Sequence, residues 1–367
     1  MDGGRPTAPI AAVSVEAFTV PTDAPESDGT LEWDATTMVL VRIDAAGRRG
    51  IGYSYADTAT ATLIRDKLAR LLMGRDAWSI NARWIDMTRA IRNLGRPGIC
   101  SMAISAVDTA LWDLKGKLLG VPLVDLLGAA RDSIVAYGSG GFTSYTLERL
   151  REQLGGWARD GLTAVKMKVG RDAVADIQRV GAAREAIGPD VRLFVDANGA
   201  YTREQALRQA QRFAANDVRW FEEPVSSDDL AGLRLLRDTR PGGMAIAAGE
   251  YGYDLFYFRR MMEAGAVDAI QADATRCGGV TGFMDAATLA DAFGLPLSSH
   301  CAPALHVALC CAARRAVHLE YFHDHVRIEG LFFDGVPQPR GGQLYPDRTR
   351  PGLGLEPREK DMERYRQ

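Results

Sequence analysis

The sequence predicts an α/β chain: a parallel β/α barrel preceded by a smaller α+β unit. Three observations point there. From about residue 134, eight short apolar, β-branched runs are each followed by a polar turn and an amphipathic stretch, once every 20 to 30 residues. Such near-continuous apolar runs alternating with helices belong to parallel sheets, and eight of them suggest closure. The charged residues in these runs cluster at the C-terminal ends, where barrels carry their active sites. The roughly 130 residues before them are patterned differently.

The first stretch, MDGGRPTAPIAAVSVEAF, has no basic segment leading into a long apolar one, so no secretory signal is expected. TTMVLVRIDAAGRRGIGYSYA (36–56) reads as a hairpin around a glycine-containing turn. ATLIRDKLARLLMG (61–74) and AISAVDTALWDLKGKLLG (103–120) read as amphipathic helices, the second closed by glycine. The barrel runs follow: IVAYGS (134–139), AVKMKV (164–169), VRLFVDA (191–197) and VRWFEE (218–223), then MAIAAGE (244–250), VDAIQAD (267–273), PLSSH (296–300) and HLEYF (318–322). An open doubly wound sheet is the rival, but GSGGFTS (138–144) only weakly imitates its phosphate turn. YFHDHV (321–326) reads as a strand exit with exposed histidines, and the Gly-, Pro- and Arg-rich tail after 326 as mostly irregular and packed back on the first unit.

At 367 residues the chain can bury a large core, and 47% hydrophobic with 25% charged residues is ordinary for a water-soluble protein. A net charge of −3 gives no reason to expect nucleic acid or an anionic membrane as partner, and no apolar run approaches a membrane span. Five unevenly spaced cysteines make no disulfide framework, which fits a cytoplasmic setting. The expected partner is a small carboxylate substrate, and a homo-oligomer is expected.

The rim supplies the chemistry. From Lys168 the steps to Asp196, Glu222, Glu250, Asp273, His300 and Glu320 are 28, 26, 28, 23, 27 and 20 residues, about one strand–helix unit each. These groups should therefore converge on one mouth. Asp196, Glu222 and Glu250, on adjacent strand ends, suit a hard divalent ion that prefers oxygen, and Mg²⁺ fits better than zinc. Lys166 and Lys168, two apart on a strand, share a face. A carboxylate substrate held between them and the metal explains that pairing. Partial burial and a nearby cation should lower the pKa of Lys168 and make it a base, with Lys166 holding the substrate carboxylate. Asp273 could fix the tautomer of His300 and raise its basicity. Glu320, if protonated, could hydrogen-bond an enolate oxygen; otherwise it would pair with a cation such as Arg276.

These motifs together resemble the enolase superfamily and its mandelate racemase subgroup: the KxK of Lys166 and Lys168, VDANG with Asp196 and Asn198, FEEP with Glu222, AGE with Glu250, D-x-x-R-x-G-G from Asp273 to Gly279, and SSH with His300. The resemblance covers nearly the whole chain. It implies a modified TIM barrel of (β/α)7β type, with an N-terminal α+β capping domain (1–130), a catalytic barrel (131–325) and a C-terminal segment (326–367) on the cap. It also implies that Asp196, Glu222 and Glu250 hold Mg²⁺, and that Lys168 and His300 act as acid and base on opposite substrate faces through a metal-stabilised enolate. Lys166, Asp273 and Glu320 would assist, and Asn198, Arg276 and Tyr53 would bind substrate.

Cap loops at 22–33 and 52–58 would choose the substrate, and their Ser27, Asp28, Glu32 and Tyr53 are polar enough to read sugar hydroxyls. Tyr251, where mandelate racemase has asparagine, and CAPALH (301–306) depart from mandelate racemase itself. The expectation is dehydration of an acid sugar to a 2-keto-3-deoxy acid, with racemisation or epimerisation by the same two bases as the alternative. Remoter rivals are a Schiff-base aldolase using Lys168, a non-catalytic ligand-binding barrel, and a zinc site of His300, Cys301, His306 and Cys310.

Overall fold

A computed structural model describes residues 7–367. Its first unit is a three-stranded antiparallel sheet, β1 (Ile10–Ser27), β2 (Glu32–Ala45) and β3 (Arg48–Tyr55), in sequence order. The 36–56 hairpin is β2 and β3, turning at Ala46 and Gly47, both in the left-handed region. β1 was not read from the sequence, and residues 22–33 are therefore not a free loop. They are the frayed end of β1, a turn, and the start of β2, with a register shift between Pro21 and Glu26.

The helix Ile99–Leu119 lies across this sheet and ends at Gly120 in the left-handed conformation. It comes so close to β3 that a Cβ on Gly50 or Gly52 would lie 2.2 or 2.3 Å from a helix carbonyl oxygen. The 61–74 region is helical from Thr58 to Leu72, with a π turn over Ile64–Leu68, and a further helix spans Ile80–Ala90.

The barrel strands are β4 (Ile134–Gly140), β5 (Ala164–Lys168), β6 (Arg192–Asp196), β7 (Val218–Glu222), β8 (Ala245–Ala248), β9 (Ala269–Ala272), β10 (Leu297–Ser299) and β11 (Ala316–Phe322). All are parallel, and β11 pairs with β4 to close the ring. Alternation along β5 explains the lysine pair. Val165 and Met167 pack in the hydrophobic shell with the surrounding helices, while Ala164, Lys166 and Lys168 turn the other way, into the barrel. An aromatic layer of Tyr137, Phe194 and Trp220 plugs the lower end.

The tail returns to the cap. Asp113, buried on the long cap helix, accepts the backbone N–H of Ile51 on β3 and of Leu353 in the tail, both at 2.7 Å. Arg42 on β2 pairs with Glu359 at 2.7 Å. Among the described residues no helix is long and apolar enough to cross a membrane, and the five cysteines are free and buried.

Candidate active site

Register sets the charged layer. In the parallel ladders Lys168 lies opposite Asp196, and Asp196 opposite Glu222. Glu250 is brought to the same level by Gly249, whose φ of +139° suits glycine and where a Cβ would sit 2.1 Å from the Gln271 carbonyl oxygen. Asp196, Glu222 and Glu250 each offer a carboxylate oxygen within 4.8 Å of the others, and all three are buried. Burial, with Asp196 beside it, pushes Glu222 up to about 8. Glu250 Oε2 is buried with no hydrogen-bond partner among the described residues. Three clustered oxygen donors, one of them without a hydrogen bond, fit a hard divalent cation.

Lys166 is fully buried, 2.7 Å from Glu222 Oε1 and 2.7 Å from Glu320 Oε1. Despite burial, these carboxylates raise its pKa well above the ordinary value. It lies beneath the cavity and does not line it, contrary to the expectation that it grips the substrate. Lys168 does line the cavity, donating to Asp196 Oδ2 and, at 3.1 Å, to Asn198 Oδ1. Its pKa was expected to fall. Burial does push that way, but the Asp196 carboxylate outweighs it and the ammonium is favoured.

Across the mouth His300 Nδ1 is 2.8 Å from Asp273 Oδ2, so the expected dyad forms, and Nε2 is 3.4 Å from Glu250 Oε2. Burial lowers the imidazole pKa, but Glu250 and then Asp273 raise it further, leaving a net upward shift. Glu320 corrects the reading of a protonated donor. Burial raises its carboxyl, but Lys166, His300 and Lys168 prevail and hold it well below the usual range. Its partners are Lys166, the Ser139 hydroxyl at 2.6 Å and the Cys301 N–H at 2.8 Å, rather than Arg276.

Arg276 and Asn198 both line the cavity, and Arg276 reaches the Glu250 carbonyl at 3.2 Å and stacks over Tyr251. Tyr53 does not line it. Its ring is fully buried against Phe333, and its hydroxyl donates to Glu329 at 2.7 Å inside the seam between cap and barrel. Two residues on, Tyr55 lines the cavity, stacked on His325. His325 is buried, not exposed as the 321–326 reading had it, and accepts the Ala302 N–H.

Ser27 is bonded to Thr143 and Glu32 pairs with Arg171 at the surface, whereas Asp28 reaches the cavity while capping its own turn. The zinc set fails. His306 Nδ1 faces the Cys301 and Ala302 carbonyls and Nε2 accepts the Ala274 N–H, so both ring nitrogens are committed.

The cavity measures about 460 Å³ and opens between the rim and the cap. Trp33, Tyr55, Phe322 and His325 form its upper wall; none was singled out from the sequence, although Trp33 and Tyr55 fall in the 22–33 and 52–58 cap segments expected at the mouth. Tyr55 alone had a usable signal, since it shares a strand face with Tyr53. Around the mouth four non-glycine residues, Asn198, Glu223, Cys301 and Ala302, hold positive φ of 38° to 50°. Strain of this kind is retained where surrounding structure fixes it and is common at functional sites.

Comparison with known proteins agrees with this geometry. Residues 13–128 match the mandelate racemase / muconate lactonizing enzyme N-terminal domain, and residues 149–361 match the enolase C-terminal domain-like family. A 3,6-anhydro-alpha-L-galactonate cycloisomerase from Streptomyces coelicolor is 35% identical over 87% of this chain and 88% of its own length. An arabinonate dehydratase from Saccharolobus solfataricus is 33% identical over 86% of each.

Among solved structures, a mandelate racemase/muconate lactonizing enzyme-like protein from Rubrobacter xylanophilus superposes with a TM-score of 0.96. It is 54% identical and covers 98% of this chain and 100% of that one. A racemase from Streptomyces coelicolor A3(2) with bound magnesium gives 0.92 at 32% identity, again over 98% and 100%.

Proposed function

The chain belongs to the enolase superfamily, in its mandelate racemase subgroup, and on that premise we propose that it dehydrates an acid sugar to a 2-keto-3-deoxy acid, depending on Mg²⁺. The observation that carries this reading is the joint placement of Lys168 and His300 on one cavity, with three buried carboxylates between their strands. Asp196, Glu222 and Glu250 would hold Mg²⁺, whose charge makes the proton α to the substrate carboxylate more acidic and competes with Lys168 for Asp196.

Lys168, once free of Asp196, would first lose a proton to solvent and then take the α-proton as the neutral amine. His300, held as imidazolium by Asp273, gives its proton to the departing 3-hydroxyl, which leaves as water. The resulting enol becomes the 2-keto acid. Each proton transfer is worth about 10²- to 10⁴-fold. Glu320 fixes Lys166 beneath the site and orders the Cys301 backbone. The acid sugar class rests on the arabinonate dehydratase relative and on the polar groups of the mouth, Asp28, Asn198 and Arg276.

A second reading shares the first step: the α-carbon is reprotonated on the other face by His300, giving racemisation or epimerisation. The magnesium-bound racemase similar to this chain favours keeping it. A library of acid sugars incubated with the enzyme and Mg²⁺ in deuterated water tests both. The expected result is a 2-keto-3-deoxy product from at least one sugar, lost on chelation and regained with Mg²⁺. Deuterium at the α-carbon with no loss of water would select the second reading, and undiminished turnover in chelator would reject both.

A further inference from the structure

We propose that Asp23, Glu26 and His323 form a second divalent-cation site, for an ion of the zinc class, that clasps the end of β1 to the barrel. Each of these residues offers a ligand atom within 4.8 Å of the others. The floor of the cluster demands a partner. Glu26 is 1% exposed; its Oε2 accepts the Trp33 indole N–H at 2.8 Å, but its Oε1 is buried with no hydrogen-bond partner among the described residues.

Asp324, fully buried, has the same deficiency at Oδ2, and it is close enough that its charge adds to burial in raising the Glu26 carboxyl, to about 8. Two cations already stand nearby. Arg149 reaches Asp23 Oδ2 at 3.3 Å, and Arg327 reaches Asp324 Oδ1 at 2.6 Å. With all three carboxyls ionised, the two guanidiniums would leave one negative charge, and neither arginine is bonded to Glu26 Oε1 among the described residues. A buried, unpaired carboxylate oxygen is costly unless a proton or a metal takes it.

The donor set fixes the class of ion. His323 Nε2 is 3.1 Å from Asp23 Oδ2. One imidazole nitrogen with carboxylate oxygens favours Zn²⁺ over Mg²⁺, the reverse of the all-carboxylate site in the barrel. The side chains of Asp23 and His323 are 39% and 23% exposed, so the site has a wet rim over a dry floor, with room for ion entry and a water ligand. The placement gives the ion a consequence. Asp23 and Glu26 lie where β1 slips register against β2, and His323 opens the helix that follows β11. Trp33, bonded to Glu26, lines the catalytic cavity. An ion here would stiffen the cavity wall without touching the reacting groups.

The test uses the full chain, stripped with chelator and then held in excess Mg²⁺ to occupy the three-carboxylate site. Zn²⁺ is titrated in by calorimetry, and retained metal is counted by mass spectrometry after gel filtration. The expected result is one Zn²⁺ per chain. His323→Ala and Glu26→Gln should each weaken it at least about 10-fold, with Mg²⁺ affinity unchanged. Should Glu26→Gln fail to fold, His323→Ala and Asp23→Asn, at part-exposed positions, carry the test alone. Absence of stoichiometric zinc under excess Mg²⁺ overturns the proposal. So does wild-type zinc affinity in the variants, which would assign the ion to His300, Cys301 and Glu320 in the cavity.

Discussion

The rim and the upper wall of the cavity are built by opposite means. Every rim group stands at the end of a barrel strand, at a height set by parallel register: Lys168, Asp196 and Glu222 face one another across adjacent ladders. The wall is assembled from distant pieces, Trp33 and Tyr55 from the cap against Phe322 and His325 from the last barrel strand and the helix after it. Rim charges are paired with one another, so removing one leaves its partner buried and uncompensated. Wall residues meet through ring faces, as where Tyr55 stacks on His325, and can be exchanged at modest cost. On the proposed function, the rim would fix which bond is broken, and the wall which molecule is offered to it.

The sharpest way to break that division is at the two groups proposed to transfer protons. Lys168→Ala should lower turnover by about 10³-fold or more, and should also abolish exchange of the substrate α-proton with deuterated solvent. His300→Asn should block product formation to a similar degree yet keep exchange, because Lys168 remains. Isotope incorporation followed by NMR separates the two. Near-normal turnover and exchange in Lys168→Ala would reduce the lysine pair to electrostatic scaffolding.

How much of this was legible follows from the same contrast. Strand-end residues repeat once per strand–helix unit, so the spacing of Asp196, Glu222, Glu250, Asp273 and His300 already predicted that they converge. Periodicity also placed all eight barrel strands and the Ile99–Leu119 helix. It could not say which way a charge balance tips. Lys168 was expected to be driven toward the neutral amine by burial, yet Asp196, one strand over, raises its pKa. Glu320 was read as a hydrogen-bond donor, but Lys166 beneath it keeps it ionised.

The wall was legible only by segment: the 22–33 and 52–58 stretches expected at the mouth do supply Trp33 and Tyr55, but without β1 the cap had no sheet from which to pick those side chains. Tyr53 was chosen over Tyr55 because alternation gives two tyrosines one face without giving the depth at which each meets the barrel. Tyr53 meets Glu329 in the seam; Tyr55 reaches the cavity.

A smaller effect should follow from thinning the wall. Tyr55→Leu and Trp33→Leu remove aromatic surface, worth about 1 to 2 kcal/mol of substrate contact. Each should raise KM about 10-fold and shift preference among acid sugars, with α-proton exchange at saturating substrate held within a few-fold. Steady-state kinetics on the same sugar panel checks this. A loss of exchange as deep as that of Lys168→Ala would mean that wall and rim are not separable.

The smallest effect on turnover, one on stability instead, lies in the seam behind the wall, where a carboxyl has no lysine. Glu320 on the rim is held down by Lys166, whereas burial pushes Glu329 up to about 8, the Tyr53 hydroxyl and the Ala304 N–H being too little to offset it. A carboxyl whose folded pKa is raised stabilises the fold fully below its unfolded value of 4.5, and that stability is lost as pH rises toward 8. The slope is up to about 1.4 kcal/mol per pH unit.

Glu329→Gln keeps an oxygen for Tyr53 but cannot ionise, at a cost of about 1 kcal/mol for an amide group that must find new partners. Near pH 5 the variant should therefore melt slightly below wild type, and near pH 9 above it. Other raised carboxyls, such as Asp108 at about 7, act equally on both proteins and cancel in the difference. Melting temperatures taken from pH 5 to 9 should cross. Parallel curves would mean that Glu329 finds a compensating charge in solution, and that seam and rim are built alike after all.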